Sequence, residues 1–116
     1  MAVELLTAYS GHALDLGTIT FTPSAGTLVG TRAILRIGVA RSAALVELES
    51  DVPPAEGVFT WDDSTGELVV DLAASHVDAL QVGYESQVDI TIERADGTAL
   101  HGATYRLLVL PVVGDI

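Results

Sequence analysis

The chain has 116 residues, with sixteen acidic side chains against five arginines, no lysine and no cysteine, so its net charge is −11. This length predicts one domain whose core is large enough to fold without disulfides. The absence of cysteine excludes thiol catalysis and cysteine-ligated zinc. The negative charge repels phosphates, which argues against nucleic acid and anionic membranes as partners and suits docking onto a basic protein surface.

The amino-terminal sequence and the apolar runs predict a soluble protein. The start, MAVELLTAYS, has no basic segment and reaches Glu4 at once, unlike a signal peptide. The longest strongly apolar run covers residues 107 to 113, and Pro111 interrupts it. Such a run is far shorter than the roughly twenty residues that cross a bilayer.

Apolar side chains recur mostly at every second position, which is typical of β-strands. Residues 14 to 22 alternate with a change of parity at Gly17, which predicts a bulge there. The other predicted strands lie in residues 31 to 39, in residues 44 to 50, in a hairpin at 58 to 72 and in a second hairpin at 84 to 113. Asp96-Gly97 is the turn signal of the second hairpin. Short strands with glycine, proline and aspartate turns predict an all-β, antiparallel β-sandwich of about seven strands.

The alternation also predicts which faces are buried. Arg32 and Arg36 occupy the solvent face of their strand, and the predicted core face comprises Ala33, Leu35, Ile37 and Val39. In the strand after Gly83, the face predicted to fill the sandwich comprises Tyr84, Ser86, Val88, Ile90 and Ile92. The acids between these positions are predicted to face outward. Residues 73 to 80 are the one helical candidate, with Ser75 as its cap.

Motifs for chemistry are weak in this sequence. DDSTGE, residues 62 to 67, superficially resembles a calcium loop, but its spacing differs from that of an EF-hand and predicts a β-turn. His12, His76 and His101 are far apart in sequence, and we interpret them as structural or solvated. No carboxylate pair stands in an apolar setting, and no serine has a nucleophile elbow around it. We therefore expect no enzymatic activity, no metal and no cofactor.

Trp61 and Tyr84 leave a second function open. Exposed aromatic side chains on a β-sandwich can stack on sugars, which would make the chain a carbohydrate-binding module. Trp61 stands next to a turn, where tryptophan more often plugs the sandwich. The carbohydrate alternative requires that both rings be exposed and that glycans change the tryptophan fluorescence.

The second half of the chain has a succession of glycines, turns and strands with a family likeness. In chain order these are Gly66, a strand from Leu68 to Leu72, a helical segment at 73 to 80, Gly83-Tyr84, an alternating strand with Asp89, Asp96-Gly97, Gly102, and a last strand at 107 to 113 with Pro111 near its end. The succession resembles the immunoglobulin-like β-sandwich domain of tailed-bacteriophage virion proteins, such as the amino-terminal domain of baseplate upper proteins. That family has Gly-x-Tyr where this chain has Gly83 and Tyr84 adjacent.

The resemblance implies an immunoglobulin-like fold and a structural, non-enzymatic role in a phage particle. The position would be in the capsid, as a decoration or cement protein, or in the tail and baseplate. Other virion proteins are the implied partners, with a homo-oligomer left open, and the protein would enter the virion in the host cytoplasm. We predict an N-terminal arm at residues 1 to 13 and a single β-sandwich domain at residues 14 to 116.

Two regions are predicted to contact neighbouring proteins: the arm and the last strand. Arms become ordered on binding, and the edges of strands pair readily. The predicted interface residues are Val3, Leu5, Leu6, Tyr9, Leu108, Leu110 and Val112. A second interpretation of the arm, as a first edge strand of the same domain, is equally compatible with the sequence.

Overall fold

The computed structural model describes residues 4–21, 28–39 and 43–111, with the backbone alone at residues 100–102. This part of the chain forms eight strands and one short helix. The strands are β1 (Glu4–Tyr9), β2 (Leu14–Thr20), β3 (Thr31–Gly38), β4 (Val46–Glu49), β5 (Val58–Asp62), β6 (Glu67–Leu72), β7 (Glu85–Arg94) and β8 (Ala99–Leu110), and helix α1 (Ala74–Asp78) lies between β6 and β7. Among these residues, no helix is long and apolar enough to span a membrane.

The strands form two sheets. Among the described residues, one sheet has five strands in the order β1-β8-β7-β3-β4, and the other has three in the order β2-β6-β5. Neighbouring described strands are antiparallel except for β1 and β8, which run parallel with Glu4 opposite Tyr105 and Tyr9 opposite Leu110. The predicted all-β fold with two sheets is confirmed, whereas the parallel pairing of β1 with β8 departs from the predicted antiparallel arrangement.

One apolar core lies between the two sheets. The inward face of β7 alternates strictly, so that Ser86, Val88, Ile90 and Ile92 are at most 5% exposed. The core also contains Ala33, Leu35 and Ile37 of β3, Phe59 of β5, Leu68, Val70 and Leu72 of β6, and Leu107 and Val109 of β8. Each fully buried large side chain of this kind contributes roughly 1.5–3 kcal/mol of transfer free energy, so this core dominates the stability of the fold.

Gly17 forms the predicted bulge in β2. The register with β6 shifts between Asp15 and Gly17, and Gly17 has a positive φ of 69°. The Asp15 carboxylate accepts a hydrogen bond of 2.7 Å from the Gly17 N–H. Because the bulge shifts the alternation by one residue, Leu16 before it and Ile19 after it both pack against the core.

The β7–β8 hairpin turns at Asp96-Gly97, as predicted. Gly97 has a φ of 90°, and the Asp96 carboxylate accepts a hydrogen bond of 2.9 Å from the Thr98 N–H. This hydrogen bond stabilises the charged carboxylate and lowers the pKa of Asp96 below its ordinary value. The turn therefore brings the outward faces of β7 and β8 side by side.

Two side chains predicted to be buried are exposed. Val39 is 54% exposed because β3 ends at Gly38, one residue before it. Tyr84 is 61% exposed because β7 begins at Glu85, one residue after it. In both cases the alternation of apolar residues in the sequence extends one residue beyond the end of the strand in the structure.

The helix is in the predicted place, but its cap differs from the prediction. Its N-terminal cap is Ala73, whose N–H donates a hydrogen bond of 3.1 Å to Nδ1 of His76. Ser75 lies inside the helix, and its hydroxyl donates to the carboxylate of Glu56. His76 is thus a structural histidine, as the sequence indicated.

Most of the described part of the predicted arm is a strand. Residues 4–9 form β1, which pairs with β8 at the edge of the five-stranded sheet. Ala8 is 1% exposed in the core, and Leu6 packs against it. This arrangement is that of the second interpretation, in which the segment is an edge strand of the same domain.

Candidate protein interaction surface

The outward face of β1 and β8 carries four large apolar side chains. In β8, Leu107 and Val109 face the core, so Leu108 and Leu110 face outward. In β1, Ala8 faces the core, so the odd-numbered residues face outward. We call the outward-facing group the apolar corner, and its members are Leu5, Tyr9, Leu108 and Leu110.

The pairing of β1 with β8 brings the apolar corner together. Tyr9 lies opposite Leu110, and Thr7 lies opposite Leu108. Neighbouring strands are about 4.8 Å apart, so side chains at these positions are neighbours on one surface. Leu5 is 45% exposed and Tyr9 is 50% exposed, whereas Leu108 and Leu110 are half-buried.

Of the seven predicted interface residues, the structure places four in the apolar corner. Leu6 faces the opposite way and packs against the core. Val3 and Val112 lie outside the described residues. The sequence prediction did not include Thr7 and Arg106, which share the outward face, although the period-two alternation of both strands was the signal that could have indicated them.

A polar rim adjoins the apolar corner on the side of β7. Glu85 lies opposite Leu108, and its carboxylate is 3.4 Å from the guanidinium of Arg106. Both side chains are about half exposed, so this ion pair contributes little to stability. An apolar centre beside a charged rim is the usual composition of a protein–protein interface.

The remaining acids on the outward face of β7 have partners on neighbouring strands. Glu93 forms an ion pair of 2.9 Å with Arg32, and Asp89 accepts a hydrogen bond of 3.1 Å from Thr104. Hydrogen bonds from Arg32 to Glu93 and to Asp51 raise the pKa of the arginine. Each acid on the outward face of β7 therefore has a partner, which is an arginine for Glu85 and Glu93 and a neutral side chain for Asp89, and the apolar corner lies at the edge of this face.

The DDSTGE segment forms a turn. The Asp62 carboxylate accepts hydrogen bonds from the Ser64 hydroxyl at 2.6 Å and from the Ser64 N–H at 3.0 Å. These hydrogen bonds lower the pKa of Asp62 below its ordinary value. Among the side chains that the structure describes, there is no group of three or more histidine, aspartate or glutamate residues that could hold a metal ion.

Trp61 packs into the protein, whereas Tyr84 is exposed. The Trp61 indole N–H donates a hydrogen bond of 3.1 Å to the Thr31 hydroxyl, and its ring meets Phe21 edge-on at 5.8 Å. Trp61 also packs against the apolar core from the three-stranded sheet, whereas Tyr84 precedes a strand of the other sheet. The two rings therefore form no common stacking platform.

Comparison with known protein families and with curated proteins finds no match for this chain.

Tyr105 lies on the inward face of β8, opposite Glu4 of β1, and its pKa is testable. Partial burial of the ring raises the pKa above its ordinary value of 10.0, and the negative charge of Glu4 raises it further. Because the folded state holds the proton more tightly, this stabilising contribution is complete below pH 10.0 and is lost as the pH rises through the folded pKa.

We expect Glu4→Gln to lower the pKa of Tyr105 without returning it to 10.0, because burial of the ring remains. NMR titration of the tyrosine ring signals measures this change. Glu85→Gln removes the same charge beside Arg106 and should leave the titration of Tyr105 unchanged. An equal shift in both variants would mean that net charge, and not the proximity of Glu4, acts on Tyr105.

Proposed function

We propose that this chain is a non-enzymatic structural protein of a tailed-bacteriophage particle, in the capsid or the tail, that acts through protein–protein contacts. The observation that carries the proposal is the apolar corner, in which two distant segments of the chain place four large apolar side chains on one outward face. The centres of protein interfaces are more apolar than the rest of the surface and are enriched in aromatic side chains such as tyrosine.

The strand order supports the immunoglobulin-like fold that the family resemblance implies. In the variable-type immunoglobulin arrangement, strands G, F, C and C′ form one sheet, and B, E and D belong to the other. If β2 to β8 are lettered B, C, C′, D, E, F and G, the five-stranded sheet reads G-F-C-C′ with β1 added beside G, and the smaller sheet reads B-E-D. Because one fold hosts many functions, the proposed role rests on the surface and the resemblance together.

The charge of the chain favours a partner other than a second copy. Each copy carries a net charge of −11, so two copies repel each other. A particle protein with a basic surface would be attracted instead, and the Glu85–Arg106 rim would lie at the edge of the contact. The proposed partner is therefore a basic surface of another virion protein.

The double variant Tyr9→Thr/Leu108→Thr tests the apolar corner. We expect it to bind a capsid or tail protein encoded in the same genome at least about tenfold more weakly than the unmodified chain does. Threonine favours β-strands, so β1 and β8 should persist. Light scattering gives the mass of each form alone and mixed with the purified major capsid, tail or baseplate protein.

Val58→Thr/Val69→Thr is the matched control for this double variant. Both valines are exposed, at 41% and 36%, on the outward face of the three-stranded sheet, and their replacement should leave binding unchanged. Equal loss in both double variants would contradict a role for the apolar corner. Failure to bind any particle protein would contradict the virion role, and a change in Trp61 fluorescence on adding glycans would support the carbohydrate-binding alternative instead.

A further inference from the structure

An open groove of about 470 Å³ separates the edges of the two sheets. Residues 4–7 of β1 form one side, residues 14–16, 18 and 19 of β2 form the other, and Tyr105 of β8 also lines it. In the described part of the chain, β1 pairs with β8 alone and β2 pairs with β6 alone. The groove is therefore bounded by two strand edges that have no further strand of the described residues beside them.

Backbone groups of both strands face the groove. The Phe21 N–H donates a hydrogen bond of 2.9 Å to the Gly66 carbonyl. The backbone N–H and C=O groups of Phe21 and Ile19 therefore point toward β6, and those of Thr18 point away from it. The Ser10 N–H donates a hydrogen bond of 2.9 Å to the Leu110 carbonyl, so by the same alternation the backbone groups of Thr7 point away from β8. Unpaired strand edges of this kind accept an added strand.

The smaller sheet leaves apolar surface uncovered on this side. Leu6, Leu14 and Ile19 pack against the core but are only partly buried, whereas Ala8 in the same strand as Leu6 is fully buried. Three strands cannot cover the whole inner face of five. A fourth strand added beside β2 would lie over β1 and shield these side chains from water.

The charge of the groove identifies its occupant. Glu4 and Asp15 line it, and among the described ion pairs neither has a basic partner. Arg32, Arg36 and Arg106 are paired with acids on the outward face of the five-stranded sheet. A second copy of the chain would bring a further charge of −11, so it fits the groove poorly.

We infer that the groove binds an extended segment of another protein that alternates apolar side chains with lysine or arginine. The segment joins the edge of β2 as a fourth strand. Its apolar side chains cover Leu6 and Leu14, and its cations lie near Glu4 and Asp15. The groove adjoins the apolar corner and shares Leu5 with it, whereas Tyr9 and Leu108 of the corner do not line the groove. The inference holds whether or not the chain belongs to a virion.

The probe is an octapeptide of alternating valine and lysine with blocked ends. The control peptide has proline in place of each valine, so it has the same charge but cannot form a strand. Titration calorimetry at low salt should show that the valine peptide binds and that the proline peptide does not. Amide exchange measured by NMR should show that the Thr18 N–H becomes protected when that peptide is bound.

Two variants of the chain test the two parts of the site. Thr18→Pro removes the N–H that faces the groove, a change that an edge strand tolerates, and should abolish binding, whereas Thr18→Val should retain it. Glu4→Gln/Asp15→Asn should weaken binding by about tenfold, because two attractive charges are lost while the asparagine can still accept the Gly17 N–H. Asp63→Asn/Asp96→Asn removes two carboxylate charges outside the groove and should change binding by less than about twofold.

Each outcome bears on the inference. Equal binding of the two peptides, or unchanged binding to Thr18→Pro with its fold intact by circular dichroism, would overturn strand addition. Weakening by Tyr9→Thr/Leu108→Thr would place the peptide on the apolar corner and would overturn the groove as its site. Unchanged binding to that double variant together with loss in Thr18→Pro supports the groove, independently of any result with particle proteins.

Discussion

Replacing Phe59 with alanine is expected to lower the free energy of unfolding by about 3–5 kcal/mol. Phe59 is 2% exposed and lies in β5 opposite Val70, among side chains from both sheets. Although β5 is an edge strand of the smaller sheet, the Phe59 ring is buried in the core between the sheets, so its removal leaves a cavity there. Urea denaturation followed by circular dichroism measures the change as a shift of the transition midpoint at constant slope.

Val58→Ala in the same strand is the control for this prediction. Val58 is 41% exposed and faces outward, so its truncation should cost no more than about 1 kcal/mol, mainly through β-propensity. A cost for Val58→Ala equal to that of Phe59→Ala would contradict the assignment of the inward face of β5.

Gly66→Ala is expected to destabilise the protein by about 2–4 kcal/mol. Gly66 has a φ of 76°, and a Cβ atom there would stand 2.5 Å from the carbonyl oxygen of Phe21. That contact cannot relax easily, because the Phe21 N–H donates a hydrogen bond of 2.9 Å to the Gly66 carbonyl and so holds the end of β2 against the turn. The same urea measurement applies.

Gly97→Ala separates the two sources of this cost. Gly97 has a similar φ of 90°, but a Cβ atom added there would meet nothing within 4 Å. This variant should therefore cost only the conformational part, about 1–2 kcal/mol. If both variants cost the same, the close approach at Phe21 would make no contribution.

Features that depend on neighbouring residues were predictable from the sequence. The bulge at Gly17 and the turn at Asp96-Gly97 each follow from a glycine within an alternating pattern. The buried face of β7 follows from period-two alternation, which the structure retains from Ser86 to Ile92. The two misplaced side chains, Val39 and Tyr84, stand next to strand ends, where the alternation contains no information about where pairing stops.

The candidate surface was predictable only in part. Leu5 and Leu6 are consecutive, so they cannot both face outward from a strand, and alternation alone could have excluded Leu6. The parallel pairing of β1 with β8 could not be predicted, because no local pattern specifies that Glu4 meets Tyr105. The groove beside β2 depends on that pairing, since it forms only because β1 joins the larger sheet and leaves the smaller one with three described strands.

The pairing of β1 with β8 also sets the order in which surfaces can form during synthesis. The two strands are separated by roughly a hundred residues, so β1 leaves the ribosome long before its partner exists. Tyr9 and Leu110 become neighbours only after the last described strand has been made and has folded onto β7. A protein that recognises the apolar corner would therefore bind chains in which β1 and β8 have paired, and would not bind nascent chains that still lack β8.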